Sequence, residues 1–404
     1  MRRFLSLLVL IAILSISSFI KAEETDSVIL QNERSVIVTN NGKTETTTKR
    51  SIHINSHGDV EKLKTLDLNI DSKNERFELI KAARYEQLQN GDFQQDINSK
   101  AIVFSKKGLY ITKIHIVMPI KKPGDKLEYE VRIIRDKPLF GNNFWNMFNL
   151  GDIYPTKHAL FSISIPSVRS LYYQEQGFDS KPKIETKDNA KIYTWALNDI
   201  LPMIPSSQNS SDTMPTVLIS SVNTWNPIAD WFSVKYHEKI IISAEIEKLS
   251  GFLLQNSSHN SIGKDMIVSV FAGYIKNNIL NPSTKDDNGL LIPEDSEEII
   301  SSRKGDCKAK VVLLASLLKT ADIESCPVLT NTDNIHDLTK LLPTPYYFNH
   351  AILFIPKQQG ISEDMWFDPN MNNKRASDAE KIMGLFLCGK GNNRISYIDS
   401  TFME

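Results

Sequence analysis

The spacing of apolar residues changes along the chain, and this change constrains the fold more than any other sequence feature. In residues 50–200 apolar side chains recur mostly at every second position between turn residues, as in Leu127-Glu128-Tyr129-Glu130-Val131. That alternation is typical of half-buried strands, and several turn-bounded strands favour an antiparallel β-sandwich. Further along, helical stripes precede short strand patterns. The sequence therefore predicts an α+β protein with a β-sandwich-like domain in front of an α+β domain.

One segment of the front half has a different spacing. Phe77, Ile80, Ala83 and Tyr85 lie about three residues apart, which is close to the helical period. This spacing predicts a helix over residues 75–89. In the second half, the stripe within residues 264–279 and the apolar run that begins at Cys307 predict two more helices.

The chain is long enough for two domains. It has 404 residues, more than one hydrophobic core usually serves. Residues 202–215 are rich in Pro, Ser, Asn and Gln and read as a loop or linker. The predicted division is a leader at residues 1–22, a β-rich domain at 23–215 and a second domain at 216–404.

The first residues have the layout of a secretory signal peptide. Arg2 and Arg3 precede an apolar run over residues 4–20, and Ala22 supplies a small residue where cleavage is expected. An uncleaved membrane anchor is the alternative, because the run approaches the length of a short span. Export is therefore predicted, with membrane contact expected only if the leader stays attached.

Charge and motif content exclude several classes of partner. The chain has 47 basic and 48 acidic residues, and this balance gives no electrostatic footprint for nucleic acid. There is no Cys-x-x-Cys motif and no close pair of histidines, so no metal is expected. No cofactor is predicted either, and the sequence does not set the oligomeric state.

The three cysteines are too few for a disulfide-built scaffold. Their odd number means that one thiol stays unpaired within a monomer. Cys326 and Cys388 could form a bridge that leaves Cys307 free. Three buried, reduced cysteines are the alternative, because an unpaired Cys packs as a small hydrophobic residue.

Three short motifs supply a thiol, an imidazole and a carboxylate in that order. They are Gly305-Asp306-Cys307-Lys308, Phe348-Asn349-His350-Ala351 and Trp366-Phe367-Asp368-Pro369. Such a trio can form a nucleophile, its base and the group that orients the base. A helix that begins at Cys307 would direct backbone N–H groups and a positive dipole end at the thiol, which favours the thiolate.

Each member of the trio also has an ordinary structural interpretation. A Cys at a helix start is often a packed residue, and a His on an apolar strand often only makes a hydrogen bond. An Asp before Pro is commonly a turn residue. Their order and their placement on a helix, a strand and a strand end favour the catalytic interpretation.

Taken together, the motifs resemble those of the bacterial transglutaminase-like superfamily, whose fold is related to papain-like cysteine proteases. His350 follows Cys307 by 43 residues, and Asp368 follows His350 by 18. The resemblance implies that Cys307 is the nucleophile, His350 the base and acid, and Asp368 the orienting residue. It also implies a protein or peptide substrate. Ala309 departs from the family pattern, which commonly has an acidic residue at that position.

The front half is similar to an uncharacterised β-rich domain that often precedes transglutaminase-like domains in exported bacterial proteins. The similarity rests on Lys122-Pro123-Gly124-Asp125 with its following strand, on the apolar segment 161–166 and on residues 225–231. The implied location is the periplasm or cell envelope of a Gram-negative bacterium.

Two functions follow from the sequence. The first is an exported thiol enzyme that hydrolyses amides or transfers acyl groups to amines. The alternative is a non-enzymatic binding or assembly protein of the cell envelope that uses the transglutaminase-like domain as a scaffold. The two differ in whether Cys307 and His350 lie in contact beside an open cleft.

Overall fold

The computed structural model describes residues 27–107, 111–138, 140–203, 214–255, 263–282, 292–331, 337–369 and 383–398. The predicted leader at residues 1–22 lies outside the described residues. Within the described ranges, no helix is long and apolar enough to cross a membrane.

An eight-stranded sheet forms the centre of the front half. Its strands are β1 (Val28–Val38), β2 (Thr44–His53), β4 (Glu75–Gln87), β5 (Phe93–Gln95), β8 (Lys126–Arg135), β10 (Thr156–Pro166), β12 (Lys183–Lys187) and β13 (Ala190–Ile200). Their spatial order is β12-β13-β10-β1-β2-β8-β4-β5. All neighbours are antiparallel except β1 and β10, which are parallel. The strand predicted around Leu127 is confirmed as β8, with Leu127, Tyr129 and Val131 buried.

Two three-stranded sheets pack against the large sheet. Their strands are β3 (Thr65–Asp71), β6 (Ile102–Lys107) and β7 (Ile111–Val117) in one, and β9 (Trp145–Asn149), β11 (Tyr172–Gln176) and β14 (Thr216–Ser220) in the other. One core contains Ile116 of β7 and Leu127 of β8, and another contains Phe161 of β10, Trp195 of β13 and Ile219 of β14. The front half is therefore β-rich with sheet packed on sheet, and a short helix, α1 (His57–Leu63), precedes β3.

The helix predicted over residues 75–89 was wrong, because this segment forms strand β4. The strand pairs with β8 along most of its length, and its register shifts between Leu79 and Lys81. A β-bulge of this kind adds one residue to the strand and breaks the simple alternation of its two faces. The apolar residues on either side of the bulge are consequently about three positions apart, which imitates a helical spacing.

Strand β14 pairs with β9 on one side and β11 on the other. All five of its residues are buried. The predicted boundary between residues 215 and 216 thus separates β14 from the strands with which it pairs, and the front half extends to residue 220.

The second half consists of helices packed on an antiparallel sheet. The helices are α2 (Asn226–His237), α3 (Ala244–Gln255), α4 (Lys264–Asn278), α5 (Ser296–Ser302) and α6 (Cys307–Thr320). The strands are β15 (Cys326–Thr330), β16 (His350–Ile355), β17 (Met365–Phe367), β18 (Met383–Phe386) and β19 (Arg394–Tyr397), in the order β17-β16-β15-β18-β19. The helices predicted over 264–279 and from Cys307 are confirmed as α4 and α6.

Helix α6 is the central element of this half, because residues 307–318 are all buried. It packs against β15 and β16 on one side and against α3, α4 and α5 on the other. A second apolar cluster, which includes Phe354, Trp366 and Phe386, covers the opposite face of the sheet. The α+β class predicted from the sequence is confirmed.

A buried ion pair stabilises the front half. Asp125 is fully buried and accepts hydrogen bonds from Arg84 Nε at 2.6 Å and from the backbone N–H of Lys121 at 2.8 Å. Burial alone would raise the pKa of Asp125, but these donors hold it below its ordinary value. Arg84 also pairs with Asp96 at 2.7 Å.

We expect Asp125→Asn to lower the free energy of unfolding by about 3 kcal/mol, because it leaves the buried Arg84 without its closest counter-charge. Urea unfolding monitored by circular dichroism would measure the change. The control is Lys157→Gln, which breaks a pair whose two side chains are 60% and 73% exposed and should change stability by less than about 1 kcal/mol. Equal effects of the two substitutions would refute the stabilising role of the buried pair.

Candidate active site

Helix α6 begins at Cys307, and the residues before it fit a tight helix entry. Asp306 is the N-cap, and its side chain accepts a hydrogen bond from the backbone N–H of Ala309 at 3.1 Å. A Cβ atom at Gly305 would lie 3.0 Å from Cβ of Ala309 and 3.2 Å from Cγ2 of Ile299. A larger residue would have to push both neighbours aside by a few tenths of an ångström, so glycine suits this close approach. Cys307 then lies in the first turn beside unpaired backbone N–H groups.

His350 begins strand β16 and is 4% exposed. Its Nε2 lies 2.8 Å from Oδ1 of Asp368, the residue that follows β17. Because β17 pairs antiparallel with β16, the carboxylate is brought back to the imidazole. The other ring nitrogen, Nδ1, remains to face the thiol.

The Cys307 thiol lies close enough to the His350 imidazole to affect its pKa. Burial acts to lower the pKa of His350, but the hydrogen bonds and negative charges of Asp368 and Cys307 outweigh it and raise the pKa to about 9. The imidazole is therefore protonated at neutral pH. The structure thus brings together all three residues that the sequence singles out, in the order thiol, imidazole, carboxylate.

Cys307 is the one unpaired cysteine, because Cys326 and Cys388 form a disulfide. Of the two alternatives left open by the sequence, the structure contains the bridge. The bridge links the start of β15 to the segment after β18. Cys307 itself is 8% exposed, so little of its surface is open to a substrate.

A cavity of about 650 Å³ lies at the start of α6, between the two halves of the chain. The second half contributes Asp306 and Lys308, which flank Cys307, and Tyr346, which lies four residues before His350. The front half contributes Arg135 and Trp145. Asp306 and Lys308 therefore border a cleft that both halves line, whereas Cys307, His350 and Asp368 are not among its lining residues.

The walls of this cleft are strongly charged. Arg135 of the front half pairs with Glu75 at 2.6 Å, and Lys308 pairs with Asp306. Glu294 also lines the cleft, and its pKa is raised by partial burial and by the nearby charges of Asp306 and Glu298.

Sequence reasoning did not single out two buried lysines beside Cys307. Lys308 and Lys310 are each 4% exposed, within a helix whose other buried positions are almost all apolar. The signal in the sequence was their position at the start of an apolar helix that is expected to be buried. Lysines are rarely fully buried unless they are paired.

Metal ligation finds no support in the described part of the chain. No group of three or more His, Cys, Asp or Glu side chains there has an arrangement that could hold a metal ion.

Asp368→Asn is expected to lower the pKa of His350 from about 9 towards or below about 6.5, because burial would then oppose protonation without the carboxylate. An NMR titration of the imidazole would measure the shift. A midpoint that does not change in Asp368→Asn would contradict the pairing.

The His350–Asp368 pair should also change how the free energy of unfolding depends on pH. This dependence is best measured in a Cys307→Ala background, which removes the titration of the thiol. Because the pKa of His350 is raised in the folded protein, its protonation stabilises the fold. This stabilisation is complete at pH values below the unfolded-state pKa of about 6.5 and is lost as pH rises through the folded-state pKa. The free energy of unfolding should therefore fall as pH rises above 6.5 when Asp368 is present. It should stay flatter over that range in Asp368→Asn.

Comparison with known families identifies the front half. Residues 40–204 match a domain of unknown function, DUF3857, for which a structure has been solved. The match covers most of the three-sheet assembly. None of the curated proteins matches the chain.

Among solved structures, the fold is similar to that of a candidate protease from Parabacteroides distasonis ATCC 8503. The TM-score is 0.71 at 13% identity, over 93% of this chain and 72% of that one. An M1 zinc metallopeptidase from Deinococcus radiodurans has a TM-score of 0.26 at 10% identity, over 48% of this chain and 42% of that one, which is too low to support an argument. The first likeness establishes that both halves occur together in one known fold.

Proposed function

We propose that the chain is an exported, transglutaminase-like thiol enzyme that transfers acyl groups from amides of a protein or peptide. The observation that carries the proposal is the hydrogen bond between His350 and Asp368 beside the Cys307 thiol, which together raise the pKa of the imidazole to about 9. A thiol at a helix N-terminus, paired with a protonated imidazole, is the arrangement that generates a reactive thiolate.

In the first half-reaction, the Cys307 sulfur attacks the carbonyl carbon of the substrate amide and a carbon–sulfur bond forms. The carbon–nitrogen bond breaks as His350 donates its Nδ1 proton to the leaving amine. Asp368 accepts a hydrogen bond from Nε2–H, which fixes the ring orientation and stabilises its charged form. The product is a thioester on Cys307.

In the second half-reaction, His350 removes a proton from water or from an amine, and that nucleophile attacks the thioester carbonyl. The carbon–sulfur bond breaks and Cys307 leaves as a thiolate, which restores the starting pair. Water gives hydrolysis and an amine gives transamidation. The name of the Parabacteroides distasonis protein, a candidate protease, supports the hydrolytic outcome for this chain.

The disulfide supports the exported location. The structure contains the Cys326–Cys388 bridge. Disulfides are typical of oxidising compartments such as the periplasm and are rare in the cytosol. Together with the signal-like residues 1–22, this favours a site in the cell envelope of a Gram-negative bacterium.

The second candidate function is a non-enzymatic assembly protein that uses the same domain as a scaffold. The low exposure of Cys307, 8%, and of His350, 4%, favours it. The His350–Asp368 pair beside Cys307 weighs against it, because a purely structural thiol needs no imidazole and carboxylate next to it.

Trapping of an acyl-enzyme separates the two functions. The protein is mixed with a p-nitrophenyl ester, quenched in acid and digested, and the peptide that contains Cys307 is examined by mass spectrometry. The enzyme reading predicts an acyl adduct on Cys307 that disappears when an amine or more time is supplied. No adduct, or one that survives in Cys307→Ala, would favour the scaffold.

A further inference from the structure

Lys310 occupies an unusual position for a cation. It lies three residues after Cys307 in α6, so the two side chains share one face of the helix. Lys310 is 4% exposed, and its Nζ donates a hydrogen bond to Oδ1 of Asn281 at 2.7 Å. The amide of Asn281 orients the ammonium but does not neutralise it.

A buried ammonium needs a counter-charge, because burial strongly disfavours an isolated ion. Among the described residues, no carboxylate lies within ion-pair distance of Lys310 Nζ. The negative groups that act on it are Cys307 and, more weakly, Asp306. Asp306 is already engaged by Lys308 and by the N–H of Ala309.

We propose that Lys310 is a positioning residue whose buried ammonium holds Cys307 in its thiolate form. This inference rests on the proposed thiol chemistry. Asn281 fixes the ammonium in place, and the absence of a carboxylate at position 309 leaves the thiolate as its counter-ion. Burial lowers the pKa of Lys310, and the negative charge of Cys307 acts in the opposite direction.

The proposed role differs from that of His350. His350 gives its proton to the leaving amine and takes one from the second nucleophile, so its charge changes twice in each cycle. Lys310 has no proton to transfer in the cycle, so its charge persists. It therefore stabilises the thiolate when Cys307 leaves the thioester in the second half-reaction.

The other charged groups around the thiol do not substitute for Lys310. Lys308 is neutralised by Asp306, and His350 is shared with Asp368. Glu294, on the far side of Asp306, adds negative charge to the same region. This leaves Lys310 as the cation that faces Cys307 from within α6.

The test is the rate at which iodoacetamide, a neutral reagent, alkylates Cys307 between pH 5 and 9. Lys310→Met keeps the length and apolar stem of the side chain and removes the charge together with the hydrogen bond to Asn281. We expect it to lower the rate at pH 6 by about 10-fold and to move the profile to higher pH by about one unit. Lys310→Arg should restore the rate to within about threefold of the wild type.

Lys319→Met is the matched control, because Lys319 lies at the far end of the same helix and donates to the carbonyl of Ile240. Its profile should equal that of the wild type. The proposal is overturned if Lys310→Met reacts like the wild type, or if Lys310→Arg is as slow as Lys310→Met. A melting curve of each variant checks that it is folded. Lys310→Met should fold, because an apolar side chain suits a buried position.

His350→Ala, measured in parallel, keeps this inference separate from the proposed function. If His350→Ala lowers the rate but Lys310→Met does not, only the role of Lys310 is wrong. If His350→Ala leaves the rate unchanged, the thiolate–imidazolium pair itself is wrong.

Discussion

Cys307→Ala is expected to lower the rate of acyl transfer by at least about 10⁴-fold, because it removes the atom that forms the covalent intermediate. The release of p-nitrophenol under steady-state conditions measures this rate. The initial burst, which reports the thioester, should disappear completely. The side chain of Cys307 is small and its removal leaves a minor cavity, and a melting curve checks that the variant is folded.

A residual burst in Cys307→Ala would contradict the assignment, since no other unpaired thiol exists in the chain. Cys307→Ser is the matched variant, because it retains an oxygen nucleophile at the same position. Its rate of acyl transfer should fall nearly as far as that of Cys307→Ala, because a serine hydroxyl is far harder to ionise than a thiol. A serine variant as active as the wild type would show that thiolate formation is not required.

Loss of the disulfide is expected to have the largest effect on stability. Cys326 and Cys388 are 62 residues apart, and closing a loop of that length stabilises the folded state by about 4 kcal/mol through the entropy of the unfolded chain. The double variant Cys326→Ala/Cys388→Ala should therefore lose about that amount in urea unfolding. Reduction of the wild-type protein should produce a similar loss.

The disulfide also anchors a strand next to the candidate site. Cys326 begins β15, which pairs with β16, and Thr330 of β15 lies opposite His350 of β16.

A double variant that loses less than about 1 kcal/mol would show that the bridge constrains the unfolded chain little. Equal stability of reduced and oxidised wild-type protein would lead to the same conclusion.

The candidate site was predictable because each of its residues has a local signature. Cys307 follows a glycine and an N-cap residue at the start of an apolar helix, and His350 begins an apolar strand. The pairing of β16 with β17, which brings Asp368 to His350, is a short-range event along the chain. Their contact with α6 follows once the helix packs on the sheet.

Other features depend on distant parts of the chain and leave no local trace. The parallel pairing of β1 with β10 joins segments more than a hundred residues apart. The bulge in β4 exists only because β8 sets its register. Lys310 reads as a surface lysine in the sequence, and only the packing of α6 on all sides buries it.

The cleft is the clearest example of what the sequence does not reveal. Arg135 and Trp145 come from the front half, whereas Asp306 and Tyr346 come from the second. No motif connects these residues, because they meet only when the two halves pack together. The front half thereby contributes to the cleft that borders the start of α6.

The most direct test of the central claim is the pH dependence of Cys307 alkylation in the folded protein, compared with His350→Ala. If Cys307 rests as a thiolate beside a protonated His350, wild-type labelling stays rapid well below pH 7 and the variant slows by about 100-fold at pH 6. A wild-type profile that follows an ordinary thiol, with a midpoint near pH 8.5 and no change in His350→Ala, would contradict the claim.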